Sequence, residues 1–300
     1  MKSPVLLIAF NRPDPTREVL ASIRQARPSR LYVAADGPRV NKPGEAERCA
    51  QVRKLITTEV DWPCEVHTLF RDQNLGCRQA VSGAITWFFD AETEGIILED
   101  DCVAAADFYR FCDIALAHWR DEPRVMHVGG NVLLDGCGHS DVQISHLVPI
   151  WGWATWRRAW RLYDSEMTLL PRLRQLPLKD WFKSQRGNVI RTIEKVHLQD
   201  KNVWGARWAL TVVANEGLSI LPRLNLISNI GFGADSTNTD VDTDVANLPV
   251  GVLPDPIRMP DSLATDPKYD EAYLSIVNKL GPRIHRTLTR WAKSLGYART

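Results

Sequence analysis

The chain has 300 residues, of which 44% are hydrophobic and 24% charged, and its 37 basic and 36 acidic side chains give a formal net charge of +1. This composition is ordinary for a globular protein with a sizeable core, and it excludes a disordered, collagen-like or low-complexity chain. The balanced charge excludes a general attraction to nucleic acid, so no nucleic-acid partner is expected.

Strand-length apolar runs and helical patterns alternate over the first 130 residues. The continuous apolar runs predict strands buried on both faces, and the alternation predicts an α/β fold with a mostly parallel, Rossmann-like sheet flanked by helices. In the first helix Asp14 is the expected N-cap and Pro15 the first helical residue. The predicted strands are 4–10, 30–35, 65–70, 95–98 and 124–128, and the predicted helices are 15–26, 44–57, 76–89 and 105–119.

The pattern changes after residue 130. A Gly-rich irregular stretch and a Trp-rich segment come first, followed by two helical patterns, two short strands and a polar loop. Because no clear linker separates the parts, we expect one domain made of two halves, 1–130 and 131–262, with a helical tail at 263–300. The later predicted elements are helices at 188–199 and 204–215, strands at 218–221 and 224–228, and the loop at 232–262.

Polar side chains follow four of the predicted strands. Arg12 follows the first strand, Asp36 the second and Asn74 the third, and the acidic triplet Glu99, Asp100 and Asp101 follows the fourth. Ligands of open parallel sheets bind at the carboxyl ends of the strands, so we expect these residues to lie on one edge.

The acidic triplet is the most specific of these features. Three carboxylates after a buried strand repel one another, and a divalent cation removes that cost; oxygen ligands suit Mn²⁺ or Mg²⁺, which commonly keep substrate phosphates as further ligands. The alternative is a strand end with solvated or helix-capping acids. Neither GxxxxGK[ST] nor a GxGxxG after a strand is present, which disfavours kinases, P-loop ATPases and nicotinamide dehydrogenases.

Tryptophan is unusually frequent, with 11 residues. Trp151, Trp153, Trp156 and Trp160 form a cluster whose flat rings suit sugar faces, and a buried aromatic core is an equally good interpretation. Trp204 and Trp208 are four residues apart, a spacing that is more often found in a helix core.

Three features of the sequence bear on the cellular location of the protein. The apolar run at residues 5–10 is too short to span a membrane, and the six scattered cysteines contain no CxxC pair, so reduced thiols in the cytoplasm are expected. Residues 282–300 carry four Arg, one Lys and no acid, with an apolar stripe at helical spacing. Such a helix either contacts an anionic membrane face peripherally or packs on the body of the protein.

Three segments resemble glycosyltransferases of the GT-A fold, in particular N-acetylglucosaminyltransferase I and its bacterial relatives. The likeness covers roughly residues 4–240, and its most specific part is the acidic segment, which resembles the DXD-like metal motif of the family. The segments are PVLLIAFNRPDPTREVLASI, GIILEDDCVAAADFYRF, and WGWATW together with LSILPRLNLISNIGFGADSTNT.

The resemblance implies roles for individual residues. Asp101 would be the direct metal ligand, Glu99 and Asp100 would contact the sugar nucleotide, and Arg12 and Asp36 would hold the nucleoside. Asn74 is grouped with this donor site by its position after the third strand. The first half, 1–130, would bind the nucleotide sugar, and the second half, 131–262, would be the acceptor half. The candidates for contact with the acceptor are Trp151, Trp153 and Trp204.

The general base is where the sequence departs from the family. Relatives place an Asp directly after the Trp that corresponds to Trp204, and this chain has Gly205, which cannot accept a proton. Asp200 and Asp235 are the candidate replacements. A second departure is Asn238, where relatives often have His.

The combined hypothesis is a metal-dependent, inverting hexosyl- or N-acetylhexosaminyltransferase. It would take a sugar from a nucleotide-diphosphate sugar, such as a UDP-sugar, to a glycan or glycolipid acceptor in the biosynthesis of a bacterial surface polysaccharide. One alternative is a non-catalytic protein that binds nucleotide sugars or glycans, motivated by Gly205. Another is a sugar-nucleotide hydrolase or nucleotidyltransferase, against which the missing Gly-rich loop argues.

Overall fold

A computed structural model describes residues 1–134, 140–231 and 247–278. Its centre is an eight-stranded sheet with the order β3-β2-β1-β4-β8-β6-β9-β7, next to a two-stranded ribbon of β5 and β10. The strands are β1 (Val5–Ala9), β2 (Arg30–Ala35), β3 (Glu65–Phe70), β4 (Glu94–Glu99), β5 (Cys102–Ala104), β6 (Val125–Gly129), β7 (Val142–Ser145), β8 (Trp153–Trp156), β9 (Leu218–Pro222) and β10 (Ile227–Asn229).

Helices cover both faces of the sheet. Most lie between consecutive strands, and the last one follows the sheet in sequence. They are α1 (Pro13–Ala26), α2 (Glu45–Glu59), α3 (Gly76–Ala91), α4 (Ala106–His118), α5 (Arg157–Trp160), α6 (Leu170–Leu173), α7 (Leu178–Phe182), α8 (Arg186–Leu198), α9 (Gly205–Ala214) and α10 (267–278).

Six of the eight strands of the main sheet run in one direction. β3, β2, β1 and β4 are mutually parallel, β8 is antiparallel to both β4 and β6, and β9 is parallel to β6. Only β8 and the edge strand β7 run the other way. The carboxyl ends of six strands therefore meet at one edge of the sheet, and the predicted α/β fold with a mostly parallel sheet is confirmed.

The side chains of β1 show how the core is layered. Val5, Leu7 and Ala9 pack with α1, α2 and α4 on one face, whereas Leu6 and Ile8 pack with α3, α5 and α9 on the other. This alternation is the period of two that a strand imposes on its side chains. A third apolar cluster packs α6, α7, α8 and α10 against α9 and the β9 side of the sheet.

Several local predictions need correction. α1 begins at Pro13 with Arg12 at its N-cap position and no side-chain cap, so Asp14 is not the N-cap. Proline is tolerated in the first turn because the N–H it lacks has no helical acceptor there, which allows the earlier start. β7 and β8 were not predicted, and the strand expected at 224–228 is found at Ile227–Asn229.

The late strand starts after Asn225 because that side chain bonds the backbone around it. Asn225 Oδ1 accepts from the backbone N–H of Val132, and its Nδ2 donates to the carbonyls of Ile227 and Pro249. These bonds hold residue 225 in a turn between two loops.

Within residues 1–134, 140–231 and 247–278, no helix is long and apolar enough to cross a membrane. Five cysteines lie in these ranges, and each is a free thiol in the structure. The remaining predictions on Cys137 and on the basic helix at 282–300 lie outside the described residues.

Candidate functional site

The ends of β1, β2 and β4 lie side by side at the carboxyl edge of the sheet. Ile8 is opposite Glu99, and Ala9 is opposite Ala35. The residues that follow these positions include Arg12, Asp36 and the acidic triplet, so the structure brings these predicted site residues to one place. This convergence follows from parallel pairing, which the alternating sequence pattern predicts.

Arg12 is the centre of the acidic part of the site. Its Nη2 makes a very short ion pair with Asp100 Oδ1 and a second one of 2.9 Å with Asp101 Oδ2. Asp100 also accepts a 3.2 Å hydrogen bond from the backbone N–H of Phe10. Burial lowers the pKa of Arg12, but the charges of Asp100 and Asp101 outweigh it and raise the pKa above its ordinary value. The guanidinium therefore stays charged and ties the end of β1 to the end of β4.

One guanidinium does not neutralise three carboxyl groups. Burial, followed by the charges of Asp101 and Asp100, raises the pKa of the half-buried Glu99 to about 8, although Arg12 and a hydrogen bond with the Trp204 side chain oppose the rise. Glu99 is therefore mostly protonated at neutral pH, and Asp100 and Asp101 together carry one negative charge more than Arg12 compensates. The site has an excess of negative charge, and a bound cation would relieve it.

Asp101 is the carboxylate of the triplet that best fits a cation. Its side chain is 20% exposed, more than that of Asp100 at 6%. Oxygen ligands and an accessible carboxylate match Mg²⁺ or Mn²⁺, which commonly use one or two carboxylates plus substrate phosphates. Among the residues that the structure describes, no group of three His, Cys, Asp or Glu side chains could hold a metal by itself. The residues fit a cation that binds together with a phosphate-bearing ligand, not a closed protein cage.

Asp36 has a role that the sequence did not predict. Both of its carboxylate oxygens accept backbone N–H groups, from Gly37 at 3.0 Å and from Leu75 and Gly76 at 3.1 Å. The side chain is 7% exposed. It therefore joins the loops that follow β2 and β3 and caps the start of α3. Because both oxygens already bond backbone N–H groups, contact of Asp36 with a nucleoside stays a prediction.

Asn74 and Gly37 complete this connection. Asn74 Nδ2 donates a 2.9 Å hydrogen bond to the Gly37 carbonyl. A Cβ at position 37 would collide with backbone atoms of Gln73, which cannot move as a side chain can. Only glycine allows the two loops to approach this closely. Asn74 thus lies at the carboxyl edge, as predicted, and the structure shows it bonding protein backbone.

Sequence reasoning missed a second buried network beside Arg12. Glu45 begins α2 with a side chain only 1% exposed, and it accepts hydrogen bonds from Asn11 Nδ2 at 3.0 Å and from the backbone and side chain of Arg39. The Arg39 guanidinium lies 5.6 Å from the centre of the Phe10 ring. Asn11 comes two residues after β1 and could have been noticed, whereas a glutamate in a first helical turn usually faces water.

The tryptophans form a buried stack. Trp153 and Trp204 are 1% and 2% exposed, and their ring centres are 5.5 Å apart with nearly parallel planes. Trp160 and Trp208 pack against Trp153 from the side. Because the rings of Trp153 and Trp204 are covered by other rings, their location does not support contact with an acceptor. Trp151 is only half-buried and lies before β8, at the same edge as the acidic triplet, so it remains the acceptor-contact prediction.

Of the two candidate general bases, the structure describes only Asp200. The Asp200 side chain is 85% exposed and lies 3.4 Å from Arg78 Nη1 and 3.7 Å from Arg207 Nη2. Asn202 of the same loop accepts from the backbone N–H of Arg78 at 2.9 Å, which places the loop at the start of α3. Asp235 and Asn238 lie outside the described residues. At position 205 a Cβ would collide with the Ile150 side chain, so the glycine fits a site that a larger residue would have to open.

Comparison with known proteins gives no assignment by sequence. No protein-family model matches the chain, and no curated protein matches it significantly.

Several solved structures are similar to part of the chain at low sequence identity. HddC from Yersinia pseudotuberculosis has 12% identity and a TM-score of 0.34, with 52% of this chain and 77% of HddC covered. A UDP-glucose pyrophosphorylase complexed with UDP-glucose has 8% identity and a TM-score of 0.36, with 74% and 90% covered. The glycosyltransferase GlyE of Streptococcus pneumoniae TIGR4 has 13% identity and a TM-score of 0.35, with 73% of this chain and 45% of GlyE covered. The function is therefore argued from the site residues.

Proposed function

We propose that the chain is a metal-dependent glycosyltransferase that moves a sugar from a nucleotide-diphosphate sugar to a glycan or glycolipid acceptor with inversion at the anomeric carbon. The observation that carries this proposal is the position of Asp101 and its acidic neighbours beside Arg12, at the carboxyl ends of β1 and β4. An accessible carboxylate in a site with excess negative charge suits a cation that binds together with a diphosphate.

Each residue has a defined task in this proposal. Asp101 would hold Mn²⁺ or Mg²⁺, which would neutralise charge on the departing diphosphate. Arg12 keeps Asp100 and Asp101 in place, and Asp36 and Asn74 fix the loops after β2 and β3 against which the nucleotide lies. Glu99, which hydrogen-bonds the Trp204 side chain, would contact the sugar nucleotide.

The transfer itself would be a single in-line displacement. The acceptor hydroxyl oxygen forms a bond to the anomeric carbon while the bond from that carbon to the diphosphate oxygen breaks. A general base takes the hydroxyl proton, and the nucleoside diphosphate leaves with the electron pair. Asp200 is the candidate base within the described residues, and Asp235 is the second candidate from the sequence.

Nucleotide binding tests the donor site directly. We expect one nucleoside diphosphate, among UDP, GDP and dTDP, to raise the melting temperature of the wild-type protein only when Mn²⁺ is present. At a concentration of 100 times its dissociation constant, a ligand stabilises the folded state by roughly 2.7 kcal/mol. Asp101→Ala should lose this metal-dependent gain. The measurement is differential scanning fluorimetry with each nucleotide, with and without metal.

The matched control is Asp90→Ala, because Asp90 is an exposed acid near the other end of α3, away from the carboxyl edge. This variant should keep the full gain. A protein that no nucleotide stabilises, or an Asp101→Ala variant that responds like Asp90→Ala, would contradict the donor site.

Turnover tests the base. If Asp200 accepts the proton, Asp200→Asn should reduce kcat at least a hundredfold while the KM for the donor changes little, since general-base catalysis typically contributes 10²–10⁴-fold. Asp180→Asn, in the short helix α7, is the control for the loss of an acidic side chain. Unchanged turnover in Asp200→Asn excludes it and leaves Asp235→Asn to be measured in the same assay.

The product separates the alternatives. Release of a nucleoside diphosphate with a glycosylated acceptor supports the transferase, and release of pyrophosphate from a nucleoside triphosphate and a sugar phosphate supports a nucleotidyltransferase. Nucleotide binding without turnover on any acceptor supports the non-catalytic binding protein.

A further inference from the structure

Arg223 stands apart from the other arginines of the described part of the chain. Every other arginine there that is buried or half-buried makes at least one side-chain hydrogen bond or ion pair, as Arg12, Arg53 and Arg207 do. Arg223 is half-buried and makes neither with any described residue, and its Nε is shielded from water without a hydrogen-bond partner. Its backbone N–H donates to the Asp141 carbonyl at 3.0 Å, but no carboxylate of a described residue lies within ion-pair distance of the guanidinium.

A second buried donor without a partner belongs to Asn131. Its side chain is 4% exposed, and its Nδ2 is buried without a hydrogen-bond partner. A buried donor without a partner is costly to the folded state, so such groups in a native structure call for an explanation. Here two unsatisfied donors occur in one region.

The sheet topology places the two residues at the ends of neighbouring strands. β6 and β9 are parallel neighbours with Val128 opposite Ile220, so both strands end at the same edge. Asn131 comes two residues after the end of β6, and Arg223 comes one residue after the end of β9. This is the edge that also carries the acidic triplet, since β4 and β6 run in the same direction.

The spacing along the edge places this pair in the acceptor half. β8 and β6 lie between β4 and β9. With neighbouring strands about 4.8 Å apart, β9 is about 14 Å from β4. That is the length of two to three sugar rings, which is the reach of an acceptor whose hydroxyl lies at the donor site.

We propose that Arg223 and Asn131 form a subsite for an acidic group of the acceptor, a carboxylate or a phosphate. This inference rests on the proposed function, because it takes the bound anion to be part of the sugar acceptor. Guanidinium and amide N–H groups only donate, and together they match the oxygens of an oxyanion. A neutral sugar would leave the charge of Arg223 uncompensated.

The test uses three probes that differ in charge: glucuronate, glucose 1-phosphate and glucose. Ligand-observed NMR titration on the full chain should show binding of at least one anionic probe and at least tenfold weaker binding of glucose. Arg223→Met should weaken the anionic probe at least tenfold, and Arg223→Lys, which keeps the charge, should weaken it less. Whether the carboxylate or the phosphate binds identifies the source of the oxyanion. Arg161→Met, at an exposed arginine, is the control and should bind like the wild type.

Stability without ligand gives a second readout. If the unsatisfied donors serve to bind a ligand, Arg223→Met should raise the melting temperature of the ligand-free protein. The same variant should lose anion binding. A structural arginine would do the reverse. Should Arg223→Met not fold, Asn131→Asp supplies an acid beside Arg223 and should abolish anion binding. Equal binding of all three probes, or an unchanged affinity in the Arg223 and Asn131 variants, would overturn the proposal.

The donor site and this subsite can fail separately. Metal-dependent stabilisation by a nucleoside diphosphate should persist in Arg223→Met. If no nucleotide stabilises any variant, the proposed function fails, and the anion titrations still decide whether the subsite exists.

Discussion

Replacing Arg12 with alanine should lower the free energy of unfolding by about 3–5 kcal/mol at pH 7, because it leaves carboxylates in a largely buried site without their counter-charge. The Arg12 side chain is 13% exposed, and it pairs with Asp100 at 6% and Asp101 at 20%. Removing one member of a buried ion pair costs more than the pair itself contributes. Urea denaturation followed by circular dichroism measures the change.

Two further variants locate the cause. Arg12→Ala combined with Asp100→Asn should recover part of the loss, since the second change removes one of the stranded charges. Arg17→Ala is the control from the same helix, because its 51% exposed side chain makes only surface ion pairs and should cost no more than about 1 kcal/mol. A loss in Arg12→Ala no larger than that of Arg17→Ala would show that the acidic triplet does not depend on this guanidinium.

His127 should make the folded state sensitive to acid. It is fully buried in β6, where Trp208 Nε1 donates to its Nδ1 at 3.2 Å and its Nε2 lies 2.8 Å from the Pro149 carbonyl. The neutral ring with a proton on Nε2 satisfies both contacts. Burial lowers the pKa of His127 to about 3, although the bond to Pro149 opposes the change.

The direction of the pH effect on stability follows from the protonation of His127 in the folded and unfolded states. Between its ordinary pKa of about 6.5 and the folded value, His127 is protonated in the unfolded chain and neutral in the folded protein, so stability falls as the pH falls. The expected slope is about 1.4 kcal/mol per pH unit. His127→Gln removes this pH-dependent contribution, so its destabilisation relative to the wild type should shrink by roughly 2.3 kcal/mol between pH 6.5 and 4.5.

Other buried groups require that the comparison be made between variants. Burial lowers the pKa of His146 to about 4, which adds acid sensitivity, and burial raises the pKa of Asp270 to about 7, which has the opposite effect between about pH 4 and 7. These contributions are common to the wild type and His127→Gln, so they cancel in the difference. His118→Gln, at an exposed position, controls for the loss of an imidazole. A cost of His127→Gln that stays constant with pH would refute the assignment.

The sequence predicts the first half of the fold well, because β1, β2 and β4 are continuous apolar runs and the residues after them must share an edge. It does not predict β7 and β8, since the Gly- and Trp-rich stretch that contains them has neither alternation nor a long apolar run. Their positions depend on pairing with β9 and β4, which are distant in sequence.

The site residues divide in the same way. The acidic triplet and Arg12 could be located from the pattern, but their ion pairs could not, because the pattern contains no information on which atoms face each other. Asp36 was expected at the site and is there, yet its hydrogen bonds to three backbone N–H groups give it a structural role. Arg223 and Asn131 were missed because an unsatisfied donor is visible only when its surroundings are known.

The double anchoring of residues 38–44 has a practical consequence for labelling the protein. On one side Asp36 and Gly37 fix the chain to the loop after β3, and on the other Glu45 holds it through Arg39 and Asn11. Between these anchors Val40 is 87% exposed. A fluorophore attached at this tip would lie beside the carboxyl edge of the sheet without entering the core, and a change in its emission on addition of a nucleoside diphosphate would support the proposed donor site.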